Sequence, residues 1–140
     1  MNGKYFIDTN VFVYSFDDRQ PVKKDRSMAL IQEGLKTGLG IISTQVVQEF
    51  LNVATHKFTV PMRPEDSKVY LRLVMNPLCQ VYPNLSLYET CLDLQTETRY
   101  SFSDSLIIAA AIQGGCNLLY SEDLQEGQEI HGTMIVNPYR

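Results

Sequence analysis

The arrangement of apolar and polar positions along the chain predicts short strands that alternate with helices. Short apolar runs bounded by polar or turn-forming residues predict strands, and apolar residues at intervals of three and four predict helices. We find no internal repeat, low-complexity tract or linker, and therefore predict one domain over residues 1–140. The predicted strands are 4–8, 39–43, 78–82, 117–120 and 134–136, and the predicted helices carry residues 11–14, 21–34, 44–56, 65–75, 85–99 and 104–113.

Strands that alternate with helices are typical of α/β proteins with a mainly parallel sheet. The fold class predicted here is a three-layer α/β/α sandwich around five strands. Two helix ends can be read directly: Thr9-Asn10 offers an N-cap for the first helix, and Ser103 offers one for the helix that begins at Asp104. Ligands of such sheets bind beyond the carboxyl ends of the strands, so polar side chains at those ends are the candidates for chemistry.

Charge and hydropathy narrow the function classes. The formal net charge of −4 argues against binding nucleic acid by bulk positive charge, so a nucleic-acid enzyme of this kind needs a local basic rim or a bound metal. The longest apolar run, 106–112, is far shorter than the roughly 20 residues that span a bilayer. Lys4 and Asp8 leave no room for a secretory apolar segment at the N-terminus. These features predict a cytoplasmic protein that does not enter a membrane.

Four carboxylates occupy positions from which they could reach one cleft. Asp8 ends the first predicted strand, Asp123 follows the fourth, and Asp104 lies in the first turn of an apolar helix. Glu49 lies at the border of the apolar face of its helix, where it can extend either to water or over the sheet edge into a cleft. Taken singly, each aspartate is better explained as a cap or turn residue.

A cluster of these four side chains would need a counterion, because carboxylates at close range resist full ionisation together. Ligation by oxygen alone suits Mg²⁺ or Mn²⁺. Such ions activate water and stabilise the leaving oxygen in phosphodiester hydrolysis. The residues therefore favour a metal-dependent phosphodiesterase, provided that the fold brings them together.

The motifs around these acids resemble those of PIN-domain nucleases, in the same order and over nearly the whole chain. The size resembles that of the VapC-type toxins of bacterial toxin–antitoxin modules. The segments that carry the resemblance are FIDTN (6–10), TQVVQEF (44–50), SDSLIIAAA (103–111), LYSEDL (119–124) and the ending IVNPY (135–139).

The resemblance implies a strand order of 3-2-1-4-5, dependence on Mg²⁺ or Mn²⁺, and cleavage of RNA. Asp8 and Asp104 would be the main metal ligands, with Glu49 completing the site directly or through water. Asp123 would be a further ligand, although the adjacent Glu122 leaves open which of the two faces the site. Thr9, Asn10 and Ser121 would support these carboxylates, Ser121 standing where threonine is commoner in the family.

The same resemblance implies a small antitoxin protein as partner and a homodimer. The apolar helix 104–113 also favours a dimer, because a small domain has few layers with which to cover it. Two alternatives remain: a non-catalytic PIN-fold scaffold, and a PIN-domain ribonuclease outside toxin–antitoxin systems. Loss of acids from the quartet would favour the scaffold, and all four acids are present.

Overall fold

The computed structural model describes residues 3–140 as a six-stranded, mostly parallel sheet with helices on both faces. The strand order is β3-β2-β1-β4-β6-β5. The strands are β1 (Tyr5–Ile7), β2 (Gly40–Ser43), β3 (Cys79–Val81), β4 (Leu118–Tyr120), β5 (Glu129–Ile130) and β6 (Thr133–Val136), and the helices are α1 (Thr9–Tyr14), α2 (Pro21–Thr37), α3 (Thr44–His56), α4 (Pro64–Tyr70), α5 (Asn76–Leu78), α6 (Leu85–Thr98) and α7 (Phe102–Gln113).

The central strand β1 pairs in parallel with both β2 and β4. Parallel pairing places the carboxyl ends of these strands at one edge of the sheet. The sheet continues in parallel from β2 to β3 and from β4 to β6. The predicted α/β class is confirmed, and so is the order 3-2-1-4-5 when β6 is counted as the predicted fifth strand.

The prediction of five strands was wrong by one. The extra strand, β5, pairs antiparallel with β6 through a two-residue turn at His131-Gly132. Both turn residues have positive φ, 50° and 88°, as tight hairpin turns require. Two paired residues are too short for apolar alternation to reveal the strand, and only the turn glycine marked it.

Successive residues of β2 point to opposite faces of the sheet, so that each face of this strand packs against a different helix. A Cβ on Gly40 would lie 2.7 Å from the Cα of Gly34, so α2 approaches β2 through a pair of glycines. On the other face, Ile41 lies under the end of α7, where a Cβ on Gly114 would meet its side chain at 3.2 Å. This packing produces the three predicted layers.

Two predicted helix starts were wrong. The cap of α1 is Asp8 itself, whose carboxylate accepts a hydrogen bond from the Thr9 N–H at 2.7 Å. The cap of α7 is Ser101, whose Oγ accepts from the Asp104 N–H at 3.0 Å, so that helix begins two residues earlier than predicted. In both places several capping residues are adjacent in the sequence, and the chain direction on entering the helix decides among them.

The predicted helix 65–75 extends from Pro64 to Leu78 with a π-helical turn, Leu71–Met75, in its middle. The Asn76 N–H bonds to the Leu71 carbonyl, five residues back. Pro77, which follows, has no N–H, and its ring clashes with the carbonyl four residues earlier in a regular helix. Widening of the turn just before the proline accommodates that conflict.

The apolar helix α7 is covered within the chain. Ile107, Ile108 and the three alanines after them are buried, and α6 packs along the helix. Because most of this helix is covered without a second copy of the chain, the reason given for a dimer from the sequence was wrong. None of the helices in residues 3–140 combines the length and apolarity needed to cross a bilayer.

Candidate active site

Asp8 lies where the carboxyl end of β1 meets the start of α1. One carboxylate oxygen accepts from the Thr9 N–H, and the other accepts from the hydroxyl of buried Ser121 at 2.8 Å. The pKa of Asp8 is raised to about 6, mainly by burial and in part by the nearby charges of Glu49 and Asp123. The two hydrogen bonds act in the opposite direction and lower it. The ionised form of Asp8 is therefore less favourable here than in water, and a bound cation would offset that penalty.

Glu49 extends from α3 over the sheet edge into the cleft and does not turn to water. Its Oε1 accepts from the Thr9 hydroxyl at 2.6 Å. Its Oε2 accepts from the Gln45 amide at 3.1 Å and from the Ser103 hydroxyl at 3.3 Å. Glu49 thus connects α3 to the first turns of both α1 and α7.

Asp104 and Asp123 complete the acidic cluster, which we define as Asp8, Glu49, Asp104 and Asp123. The Asn10 amide donates to Asp123 at 2.6 Å. Burial, Glu122 and Asp104 raise the pKa of Asp123, while Asn10 and Lys23 act to lower it. Asp104 is partly buried in the first turn of α7. The structure therefore brings together all four acids chosen from the sequence, and Thr9, Asn10 and Ser121 each donate to one of them.

Glu122 is held apart from the cluster by its own partners. Its carboxylate accepts from the Tyr14 hydroxyl at 2.7 Å and forms an ion pair with Lys23. Burial acts to raise the pKa of Glu122, but the hydrogen bonds from Lys23 and Tyr14 outweigh it and leave the pKa below its usual value. Lys23 also lies 4.6 Å from the ring centre of Tyr14. Glu122 is thereby committed to Lys23, whereas Asp123 points toward Asn10.

The cluster suits a hard cation in its chemistry but is not preformed around one. Within residues 3–140, no three Asp, Glu, His or Cys side chains are arranged to hold a metal ion together. All candidate ligands are carboxylates, which Mg²⁺ and Mn²⁺ prefer. The raised pKa values of Asp8 and Asp123 show that uncompensated negative charge is costly here. The donors therefore fit such an ion, and rotation of their side chains would be needed to share it.

Two residues of the site were missed at the level of sequence. Gln45 donates to Glu49 from one helical turn away, a spacing at which side chains meet on a helix surface. Ser103 was assigned as a helix cap and instead donates its hydroxyl to Glu49. The first could have been found from the spacing of four residues, whereas the second depends on how α7 approaches α3.

Comparison with known proteins agrees with this architecture. Residues 5–125 match the model of the PIN domain family. A toxin–antitoxin complex from Klebsiella pneumoniae contains a chain 17% identical, with 97% of this chain and 98% of that one covered and a TM-score of 0.67. FitAcB from Neisseria gonorrhoeae is 16% identical over 96% and 98%, with a TM-score of 0.62.

A third structure, VapC20 of Mycobacterium tuberculosis, described as a sarcin-ricin loop cleaving toxin, is 17% identical over 86% of this chain and 90% of that one, with a TM-score of 0.58. A search of curated protein sequences gave no significant match. At these identities the solved structures show a shared fold, and the family model covers most of the chain. The chain belongs to the PIN domain family.

Proposed function

We propose that this protein is a divalent-metal-dependent endoribonuclease, and that it acts as the toxin of a toxin–antitoxin pair. The observation that carries the first proposal is the acidic cluster. Four carboxylates from four different segments meet at the carboxyl edge of a parallel sheet, where burial and mutual repulsion raise the pKa of Asp8 to about 6. Asp8 also caps α1, but capping alone needs no second carboxylate nearby, and the gathering of like charge supports a functional site.

In this proposal Asp8 and Asp104 hold Mg²⁺ or Mn²⁺, Glu49 completes the ligand set directly or through water, and Asp123 is a further ligand. The ion supplies activation of water and charge stabilisation at the leaving oxygen of the phosphodiester. Ser121 orients the carboxylate of Asp8. Thr9 orients the carboxylate of Glu49, and Asn10 orients that of Asp123.

RNA is the proposed substrate, and one PIN domain over 1–140, working in the cytoplasm, is the proposed unit. The test is incubation of purified protein with structured and single-stranded RNA in Mg²⁺, in Mn²⁺ or in EDTA. We expect internal cleavage in either ion and none in EDTA. Asp104→Asn protein, prepared in parallel, controls for contaminating nuclease. Cleavage that continues unchanged in EDTA would contradict the metal mechanism, and absence of cleavage under every condition would favour the scaffold alternative.

A groove beside the cluster supports an antitoxin partner. It has a volume of about 280 Å³ and runs between α2 and the π-helical turn, past the end of α1. Phe16 and Met28 line it and are 40% and 38% exposed. Because α1 is only six residues long, about 9 Å of helix separates this groove from Thr9 and Asn10, which donate hydrogen bonds to the cluster. An apolar partner segment in the groove can therefore deliver an arginine or lysine to the carboxylates.

Two of the solved structures with this fold are themselves described as assemblies, a toxin–antitoxin complex and FitAB on DNA. The test is co-expression with the small neighbouring reading frame, followed by pull-down and a growth assay. We expect Val74→Asp, in the groove, to lose the partner, and Leu73→Asp, exposed but outside the groove, to keep it. A chain that is harmless alone, binds no small neighbour and still cleaves RNA would be a ribonuclease outside toxin–antitoxin systems.

A homodimer is proposed through α6. Leu85, Tyr88 and Leu92 share one face of that helix and are 82%, 38% and 55% exposed. An apolar face of this kind on a small protein marks an interaction surface. Light scattering is expected to give twice the 16.0 kDa chain mass, and Leu92→Glu is expected to give a monomer. A monomeric wild type at micromolar concentration would contradict the dimer.

A further inference from the structure

Gln45 lies at the junction of two helices that have little other contact. It is in the first turn of α3, and its amide Nε2 donates to Glu49 on the same helix. The same nitrogen donates to the backbone carbonyl of Ser103 at 3.1 Å and approaches the Ser103 hydroxyl at 3.3 Å. Since α3 and α7 scarcely pack against each other elsewhere, this side chain is a principal link between them.

The orientation of the Gln45 amide is maintained at a cost. Its Oε1 is buried and has no hydrogen-bond partner within residues 3–140. A buried carbonyl without a donor is unfavourable. Rotation of the amide by half a turn would place that oxygen against the carboxylate of Glu49 and the carbonyl of Ser103, which both require donors. The charge of Glu49 therefore fixes the amide with its nitrogen toward the cluster.

We propose that Gln45 is a positioning residue that holds Glu49 in place relative to Asp104. Ser103, its second partner, is adjacent to Asp104 in the first turn of α7. One amide thus sets both the rotamer of Glu49 and the distance between α3 and the helix that carries Asp104. This inference rests on the proposed function, because it assigns Gln45 to the same metal site.

The test compares Gln45→Met with Gln48→Met. Methionine keeps the length of the side chain and removes the donor. Gln48 is exposed on the same helix, lies beside the same shallow pocket, and makes no hydrogen bond to Glu49 among the described residues. Four quantities are measured on the full chain: Mn²⁺ affinity by electron paramagnetic resonance, kcat for RNA, KM for RNA, and the melting temperature in EDTA.

For Gln45→Met we expect Mn²⁺ affinity and kcat to fall by about 10- to 100-fold, the range found when a hydrogen-bond partner of a metal ligand is removed. KM for RNA and the melting temperature should stay at the wild-type values, as should every quantity for Gln48→Met. Gln45→Glu adds a like charge beside Glu49, so its kcat and Mn²⁺ affinity should fall further than those of Gln45→Met.

Equal Mn²⁺ affinity and kcat in the wild type and both Gln45 variants would overturn the inference while leaving the proposed function intact. A melting temperature that falls together with kcat in Gln45→Met would overturn it in favour of a structural role. A wild type that neither binds Mn²⁺ nor cleaves RNA would overturn the proposed function, and with it the role of Gln45.

Discussion

Glu49 and Phe50 are consecutive residues of α3 that face two very different regions. Glu49 enters the acidic cluster, whereas Phe50 is fully buried in an aromatic cluster, defined here as Phe12, Phe16, Phe50, Phe58 and Tyr70. The helix α1 divides in the same way, with Thr9 and Asn10 donating to acids and Phe12 packing on Phe50.

The two clusters contribute to folding with opposite sign. The Phe50 ring contacts four others at centroid distances of 5.1 to 6.2 Å, and buried aromatic pairs of this kind stabilise the folded chain. The acidic cluster instead gathers negative charge that burial makes unfavourable, as the raised pKa of Asp8 shows. In the proposed function the acidic cluster binds metal at a cost to stability, and the aromatic cluster on the same helices offsets that cost.

Removal of a carboxylate is expected to produce the largest functional effect. Asp8→Asn and Asp104→Asn should each reduce metal-dependent RNA cleavage to background, because each removes one of the two main ligands in the proposed site. The metal-free variants should melt no lower than the wild type, since a repelling charge has been lost. Circular dichroism and cleavage assays on the same preparations measure both. A large fall in melting temperature in both variants would indicate structural roles instead.

Truncation of Phe50 is expected to produce the largest effect on stability. Phe50→Ala leaves a cavity among four rings and should cost about 3–5 kcal/mol of unfolding free energy, measured by urea denaturation. Glu49→Gln, one residue away, should leave unfolding in EDTA unchanged or slightly more favourable to the native state. Equal destabilisation by the two substitutions would erase the distinction between the clusters.

The folding stability of the metal-free protein should depend on pH, because ionised Asp8 is unfavourable in the folded chain. Its pKa is about 6 in the folded chain against 3.8 as the reference value, so between these pH values the folded state holds a proton that the unfolded state releases. Folding stability should therefore fall as pH rises from about 4 to 7, with about 2 kcal/mol due to Asp8. Asp8→Asn should remove that part of the slope in denaturation curves recorded in EDTA. A slope identical in both proteins would contradict the prediction.

Two buried serines provide the smallest effect. Ser121 donates to the carboxylate of Asp8, and Ser105 on α7 has a buried hydroxyl without a partner among the described residues. At pH 7 in EDTA, Ser121→Ala should lower the free energy of unfolding by about 1.5 kcal/mol, as expected for a hydrogen bond to a charged group. Ser105→Ala should leave the free energy of unfolding, measured by urea denaturation, unchanged. Loss of similar size in both would mean that the hydroxyl of Ser121 acts through packing alone.

How far the sequence predicted this protein depends on the range of the interactions involved. Residues 44–56 were predicted as a helix with the observed ends, because the apolar periodicity of α3 is a local signal. The starts of α1 and α7 were misplaced, because adjacent residues there have similar capping ability. The strand β5 was missed, since two residues carry no periodicity.

By itself the sequence determined the alternation of strands and helices apart from β5, the family motifs and the identity of the four acids. These depend on residue type, on spacing along the chain, and on which residues stand at the ends of strands and helices. Only the tertiary structure decided that Glu49 turns into the cleft, that Lys23 and Tyr14 hold Glu122 away from it, and that Gln45 and Ser103 join α3 to α7. Each of those outcomes sets one hydrogen bond against another between residues far apart in sequence. Such competition is settled by distances of a few ångströms, which exist only once the helices have packed on the sheet.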